Sequence, residues 1–213
     1  MRPETWDYLT AYGAEVFGGE DEILRSLTEE AIAAGLPRIA VAPDVGRLLM
    51  ILASMTRGRL AIEVGTLGGY SGIWIARGLR PDGRLVTIEP DPVHAEFARR
   101  QFERAGLAER VDLRHGAGLD VLSDLARDLE QGSVDLLFLD AVKREYTAYF
   151  ERARPLIAVG GLLVADNVYG VGDGWIDEGY GTDSFNRHVA ADPDFEVVAI
   201  PMREGLLIGR RVR

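Results

Sequence analysis

The chain has 213 residues, of which 47% are hydrophobic and 27% are charged. These proportions exclude an intrinsically disordered chain, and the length predicts a single globular domain spanning residues 1–213. The net charge is −10 and cysteine is absent, so we expect no nucleic-acid partner, no disulfide and no thiolate metal site. No secretory leader and no apolar membrane-spanning run is recognisable, which predicts a cytoplasmic protein without a membrane partner.

The N-terminal 58 residues are predicted to be helical. Apolar residues recur at helical spacing between residues 20 and 34, and Gly35 supplies a stop. A second helix is predicted to begin at Pro43, a favourable first-turn residue, and to end at Gly58. We expect these helices to cover the site that the rest of the chain forms.

From residue 59 onward, short apolar runs alternate with amphipathic stretches, a pattern typical of a parallel sheet wrapped in helices. Strands are predicted at residues 60–64, 84–89, 111–115, 134–140 and 161–166. The intervening helices are predicted around residues 71–77, 92–105, 118–130 and 146–153. Two further strand-like runs, 195–201 and 205–211, are close enough to form an antiparallel hairpin. The fold class is therefore α/β and Rossmann-like, a seven-stranded, mostly parallel sheet with an antiparallel C-terminal hairpin and helices on both faces.

A glycine-rich turn follows the first predicted strand. Gly65, Gly68 and Gly69 lie within EVGTLGGYS, and their spacing differs from the G-x-G-x-x-G that cradles a pyrophosphate. Glu89 ends the second strand, where a carboxylate can accept hydrogen bonds from both hydroxyls of a ribose. Each feature alone also has a structural explanation, a tight turn or a helix cap. Together they favour a single nucleoside over a dinucleotide.

Polar residues follow the fourth and fifth predicted strands. Asp140 ends one, and Asp166 and Asn167 end the other, with Lys143 three residues after the first acid. Ligands of open α/β sheets bind at the carboxyl ends of strands, and a set of oxygen ligands suits Mg²⁺. A helix cap at Asp140 and an Asx-type turn at Asp166 would explain either feature alone. The paired placement favours a cation site.

Six stretches carry a resemblance to a known family. They are RIAVAPDVGRLL (38–49), EVGTLGGYS (63–71), Glu89, HGA (115–117), LDAVK (139–143) and ADN (165–167). Together they resemble the cation-dependent O-methyltransferases, the family that includes catechol and caffeoyl-CoA O-methyltransferases, over essentially the whole chain. The resemblance implies a class I methyltransferase that uses S-adenosylmethionine and Mg²⁺ or a similar divalent cation.

The resemblance also implies a role for individual residues. The methyl donor would be lined by Val41, Glu63, Gly65, Thr66, Ser71, Glu89, Ala117 and Asp140. The metal ligands would be Asp140, Asp166 and Asn167, and Lys143 would act as general base beside Asp140. Many family members carry D-A-D-K where this chain has D-A-V-K, so Val142 departs from their pattern.

The resulting hypothesis is methyl transfer to a hydroxyl of a small molecule, such as a catechol-like vicinal diol, by a homodimer of the kind usual among bacterial family members. The alternatives are a metal-independent methyltransferase, a nicotinamide-dependent oxidoreductase and an inactive nucleoside-binding protein. Two segments remain open: residues 169–181 are either a substrate lid or a surface loop, and the aromatic residues Trp6, Tyr8, Tyr12 and Phe17 are interpreted as packing. The three histidines are interpreted as surface or strand-end residues.

Overall fold

The computed structural model describes residues 3–171, 174–175 and 182–213. The helices are α1 (Pro3–Phe17), α2 (Glu22–Ala33), α3 (Pro43–Met55), α4 (Tyr70–Gly78), α5 (Pro92–Arg104), α6 (Gly118–Asp128), α7 (Tyr146–Ala153) and α8 (Thr182–Ala190). The strands are β1 (Leu60–Val64), β2 (Arg84–Glu89), β3 (Val111–His115), β4 (Val134–Leu139), β5 (Ile157–Ala165), β6 (Gly170–Val171), β7 (Gly174–Trp175), β8 (Phe195–Ile200) and β9 (Leu206–Arg211).

Seven of the described strands form one sheet, in the order β3-β2-β1-β4-β5-β9-β8. The first five pair in parallel, and β9 runs antiparallel to both of its neighbours, β5 and β8. This confirms the predicted sheet and its C-terminal hairpin. Strand β1 lies between β2 and β4, so the order of the strands reverses between β1 and β4. Open α/β sheets bind ligands at such a reversal, in the crevice beyond the carboxyl ends of the two strands.

Helices cover both faces of the sheet, as predicted. Alternate residues of a strand point to opposite faces, and β4 shows the consequence: Leu136 and Phe138 pack with helices α2 to α5, whereas Leu137 and Leu139 pack with α6 to α8. All four of these side chains are fully buried. Because both faces are covered, the central strands are almost continuously apolar rather than alternating.

The N-terminal prediction was partly wrong. Helices α2 and α3 form where they were expected, but residues 18–21 and 34–42 are irregular, because Gly35 adopts a left-handed backbone with φ +89° and Pro37 follows it. Within α1, Tyr8 stacks on Tyr12 at 6.4 Å between ring centroids, and both rings are exposed. They pack against one another at the surface rather than in a core.

Two differences concern the second half of the chain. Strand β5 begins four residues earlier than predicted, because Ile157 pairs with Val134 before a register shift restores regular pairing at Leu162. Helix α8 was not predicted. Of residues 169–181, for which a substrate lid and a surface loop were both left open, residues 172–173 and 176–181 lie outside the described residues. Among the described residues, none of the helices is long and apolar enough to cross a membrane.

Candidate active site

A cavity of about 490 Å³ opens at the carboxyl ends of the parallel strands. Its wall is formed by Leu27, Thr28, Ala31, Pro37, Ile39, Ala40, Val41, Gly65, Thr66, Leu67, Gly68, Tyr70, Ser71, Glu89, Pro90, His94, Asp140, Ala141, Val142, Lys143 and Asn167. Most of the predicted site residues are in this wall. The exceptions are Glu63, Ala117 and Asp166. The structure therefore gathers residues from four strand ends, from α2 and from the segment after α2 around one cavity.

The glycine turn after β1 forms the floor of the cavity. Gly65 has φ +101°, and a Cβ at this position would overlap the backbone carbonyl of Asp140. Glycine is therefore needed both for the backbone conformation and for the close approach of β1 to the end of β4. Leu67 also adopts a left-handed backbone, with φ 47°, and its N–H donates to Glu89 Oε2 at 2.8 Å. This hydrogen bond fixes the glycine turn and the end of β2 relative to one another.

Glu89 is nearly buried, and both of its oxygens are oriented by backbone groups. Oε2 accepts from Leu67, and Oε1 accepts from the N–H of Asp91 at 3.0 Å. His94 Nδ1 lies 3.4 Å from the same Oε1. His94 was interpreted from the sequence as a surface or strand-end residue. Its position in the first turn of the helix that follows Glu89 could have placed it near this site.

Glu63 lies directly beneath the cavity wall and is fully buried. Ser71 Oγ donates to one of its oxygens and Thr87 Oγ1 to the other, each at 2.6 Å, and Thr66 Oγ1 lies 2.5 Å from the Thr87 hydroxyl. Burial raises the pKa of Glu63 from its ordinary value near 4.5 to about 7, despite these two hydrogen bonds. Glu63 therefore supports the wall residues Ser71 and Thr66 from behind. Ala117 precedes α6 beside the end of β3 and also lies outside the wall.

Lys143 contacts both Asp140, at the end of β4, and Tyr146, at the start of α7. Its Nζ donates to Asp140 Oδ1 and to the Tyr146 hydroxyl, each at 2.8 Å. The Tyr146 oxygen also lies within hydrogen-bond distance of the carbonyls of Leu139 and Asp166, so it links the ends of β4 and β5. Burial and then the negative charge of Asp140 raise the pKa of Tyr146, which keeps its phenol neutral. Tyr146 was not among the predicted site residues, because the sequence does not distinguish a tyrosine at the start of a helix from an ordinary core residue.

Asp166 and Asn167 follow β5. The Asp166 carboxylate is 6% exposed, and its Oδ1 accepts from the N–H of Asn167, which has a left-handed backbone with φ 56°. Burial, followed by the nearby charge of Asp140, raises the pKa of Asp166 to about 7. No cluster of three or more His, Cys, Asp or Glu side chains able to hold a metal occurs within the described ranges. The predicted set has only two carboxylates, and its third member is an amide.

Comparison with known proteins identifies the family. Residues 14–212 match the sequence model of the family described as O-methyltransferase. A catechol O-methyltransferase of Niastella koreensis is 40% identical over 168 residues, which are 79% of this chain and 76% of that protein. The O-methyltransferase TomG of Streptomyces achromogenes, involved in tomaymycin synthesis and solved with SAM, is 33% identical over the whole of both chains, with a TM-score of 0.86. The O-methyltransferase of Bacillus cereus, solved with SAH, is 34% identical with a TM-score of 0.85, covering 98% of this chain and 99% of its own. The chain therefore belongs to the O-methyltransferase family that includes the catechol and caffeoyl-CoA O-methyltransferases, with the class I methyltransferase fold.

Proposed function

We propose that this O-methyltransferase moves the methyl group of S-adenosylmethionine to one hydroxyl of a small, catechol-like vicinal diol, with Mg²⁺ or a similar divalent cation as cofactor. The observation that carries the proposal is the pairing of Lys143 with Asp140 at the edge of the cavity, next to Asn167 and to the glycine turn. The proposed nucleoside site, the proposed proton acceptor and two of the three proposed oxygen ligands, Asp140 and Asn167, line the same cavity.

The donor half of the proposal rests on the glycine turn and Glu89. Two related structures contain SAM or SAH, and this chain has the same fold. In the proposed complex, Glu89 accepts hydrogen bonds from the ribose, and the close approach of backbone at Gly65 leaves room for the donor. Ser71 and Thr66 contact the remainder of the donor, held in position by Glu63 and Thr87.

Lys143 is the proposed general base, and the composition of the chain supports this role. Lysine and arginine together number 24, and Lys143 is the only lysine among them. Arginine keeps its proton in proteins, whereas lysine can lose it and serve as a base. The single lysine of the chain thus lies in the cavity wall and contacts Asp140, where the proposed reaction needs a proton acceptor.

The donor atoms of Asp140, Asp166 and Asn167 fit a hard divalent cation. All three offer oxygen, and the Asp140 and Asp166 carboxylates repel one another, a repulsion that a bound cation would relieve. These three residues would hold the cation. When bound, it would supply a Lewis acid that lowers the pKa of an acceptor hydroxyl.

The reaction balances with the groups present. The acceptor oxygen forms a bond to the methyl carbon as the bond from that carbon to sulfur breaks, and the hydroxyl proton passes to Lys143 Nζ. The positive sulfonium becomes the neutral thioether of SAH. The protein's contribution is to align oxygen, carbon and sulfur and to exclude water, for which the apolar wall around Ile39, Val41 and Val142 is suited.

The proposed function is tested by incubating the protein with methyl-labelled S-adenosylmethionine, Mg²⁺ and a panel of acceptors. The panel pairs vicinal diols, such as catechol and caffeate, with matched monophenols and methyl ethers that lack the adjacent hydroxyl. The proposal is supported if label appears in the products of the vicinal diols and not in those of the matched compounds. Equal transfer to the monophenols would support the metal-independent alternative, and family membership already argues against an oxidoreductase.

A homodimer is also proposed. Helix α1 exposes several apolar side chains, among them Tyr8, Val16 and Phe17, which are 66%, 50% and 63% exposed. The Tyr8 and Phe17 rings each contact Tyr12, and a connected exposed apolar surface of this kind is typical of contact sites. Light scattering after size exclusion would give twice the 23.4 kDa chain mass for a dimer, and the single mass would contradict it.

A further inference from the structure

His94 lies in the cavity wall beside Glu89, and neither the family resemblance nor the comparisons assign it a role. It sits in the first turn of α5, where its side chain is 22% exposed. The other histidines differ, since both are exposed and neither lines the cavity. The His115 ring contacts the carbonyl of Pro90, and the His188 ring pairs with Glu151. His94 is thus the histidine that shares a space with the proposed donor site.

The start of α5 holds His94 in a fixed position. Asp91 caps the helix by accepting from the N–H groups of Val93 and His94 with one carboxylate oxygen, and Pro92 occupies the first turn. The N–H of Asp91 is in turn bonded to Glu89 Oε1. The imidazole and the carboxylate are therefore carried by one rigid segment, with His94 Nδ1 at 3.4 Å from Glu89 Oε1.

This spacing matters because of what a ribose hydroxyl requires. A hydroxyl donates one hydrogen bond and accepts others, whereas an ionised carboxylate only accepts. Glu89 can accept a hydrogen bond from a ribose hydroxyl, but it offers no donor to the lone pairs of that oxygen. Within the described part of the chain, the His94 ring forms no hydrogen bond shorter than its 3.4 Å approach to Glu89.

We infer that His94 is a second ribose-binding residue, whose Nδ1–H donates to the same hydroxyl that donates a hydrogen bond to Glu89 Oε1. The 3.4 Å gap between the two atoms is long for a direct hydrogen bond, so the fixed pair can contact one shared ribose oxygen. The inference rests on the proposed function, since it concerns how that donor is held. It adds a hydrogen-bond donor to the ribose hydroxyl, which the Glu89 carboxylate, as an acceptor, does not supply.

The test is calorimetric binding of S-adenosylhomocysteine to the wild type and to His94→Ala, His94→Phe and His94→Asn. One neutral hydrogen bond predicts a loss of roughly five- to tenfold in affinity for the alanine and phenylalanine variants. Asparagine places an N–H donor near the position of Nδ1 and should recover part of the affinity. His188→Ala, which removes the imidazole of another histidine–glutamate pair, is the matched control and should bind as the wild type does.

Competition by adenosine, 2′-deoxyadenosine and 3′-deoxyadenosine separates ribose contact from a structural effect. If His94 donates to a ribose hydroxyl, one of the deoxy compounds binds to the wild type and to His94→Ala with nearly equal affinity, whereas adenosine does not. Equal loss for all three compounds, or unchanged affinity for S-adenosylhomocysteine in His94→Ala, would overturn the inference. Failure of the wild type to bind S-adenosylhomocysteine would instead overturn the proposed function itself.

Discussion

Lys143 Nζ lies 2.8 Å from Asp140 Oδ1, so the only lysine of the sequence contacts one of the acidic residues at the cavity edge. Both side chains are mostly buried, 13% and 22% exposed, which strengthens their interaction relative to a surface pair. The contact is local, three residues apart at the end of β4, and it does not depend on the distant parts of the fold. Changes at Lys143 can therefore separate chemistry from folding.

Lys143→Met and Lys143→Arg are both expected to lower kcat by about 100-fold or more, the usual contribution of a positioned base. Arginine keeps the positive charge beside Asp140 but does not release its proton at neutral pH. The measurements are the steady-state rate and the affinity for S-adenosylhomocysteine, which should stay close to that of the wild type. An arginine variant with the wild-type rate would show that Lys143 acts through its charge alone.

Tyr146→Phe is expected to lower kcat by roughly tenfold and the free energy of unfolding by about 1–2 kcal/mol, because it removes the hydroxyl that holds Lys143 and links two strand ends. Tyr149→Phe is the matched control, since its hydroxyl donates to Glu145 instead. Urea unfolding and steady-state kinetics check both effects. Equal kinetics in the two variants would contradict a positioning role for the Tyr146 hydroxyl.

Gly65→Ala and Gly106→Ala separate steric overlap from backbone conformation. Both glycines have positive φ, +101° and +70°, but a Cβ at Gly65 would overlap Asp140, whereas nothing lies within 4 Å of one at Gly106. Gly106→Ala should lower the free energy of unfolding by about 1 kcal/mol. Gly65→Ala should lower it by about 3–5 kcal/mol and should also abolish donor binding. The check is urea unfolding of both variants. Similar losses would show that the close approach at Gly65 is relaxed by small shifts.

Glu63→Gln is expected to change how stability depends on pH. In the unfolded chain Glu63 loses its proton near pH 4.5, but in the folded protein its pKa is raised to about 7 by burial. Between these values the folded state binds more protons, so this group makes the wild type less stable as pH rises, by up to about 3 kcal/mol in all.

Glutamine does not titrate, so the stability of Glu63→Gln relative to the wild type should increase from pH 5 to pH 8. Groups common to both proteins, including Asp166, cancel in this difference to a first approximation. Urea unfolding at several pH values measures it. A difference that stays constant across this range would mean that Glu63 ionises normally in the folded protein.

The fold was largely predictable because its signals are local. The runs that form β1 and β2 are short and mainly apolar, β3 alternates apolar and polar residues up to Arg114, and the observed bounds of all three are those predicted. Strand β5 was predicted too short, since Gly160 and Gly161 interrupt the run and only pairing with β4 reveals that Ile157 belongs to the strand. Helix α8 was missed because its buried face consists mainly of Phe185 and Val189, too little for a clear period.

The candidate site was predictable where topology alone determines it. Parallel strands place their carboxyl ends at one edge, so Asp140, Asp166 and Glu89 had to approach the glycine turn. Tyr146 and His94 were not predictable in this way, because their importance depends on which neighbour each side chain meets across space. A tyrosine at a helix start and a histidine after a helix cap have no sequence pattern that distinguishes them from ordinary packing residues.

Metal dependence is the central claim, and the most direct measurement is the methylation rate of catechol after removal of metal. The wild type is treated with EDTA, assayed, and assayed again after excess Mg²⁺ is restored, with Asp166→Asn in parallel and S-adenosylhomocysteine binding measured for each sample. We predict loss of turnover in EDTA, recovery with Mg²⁺ and little recovery in Asp166→Asn, while donor binding persists throughout. Full activity in excess EDTA would contradict it.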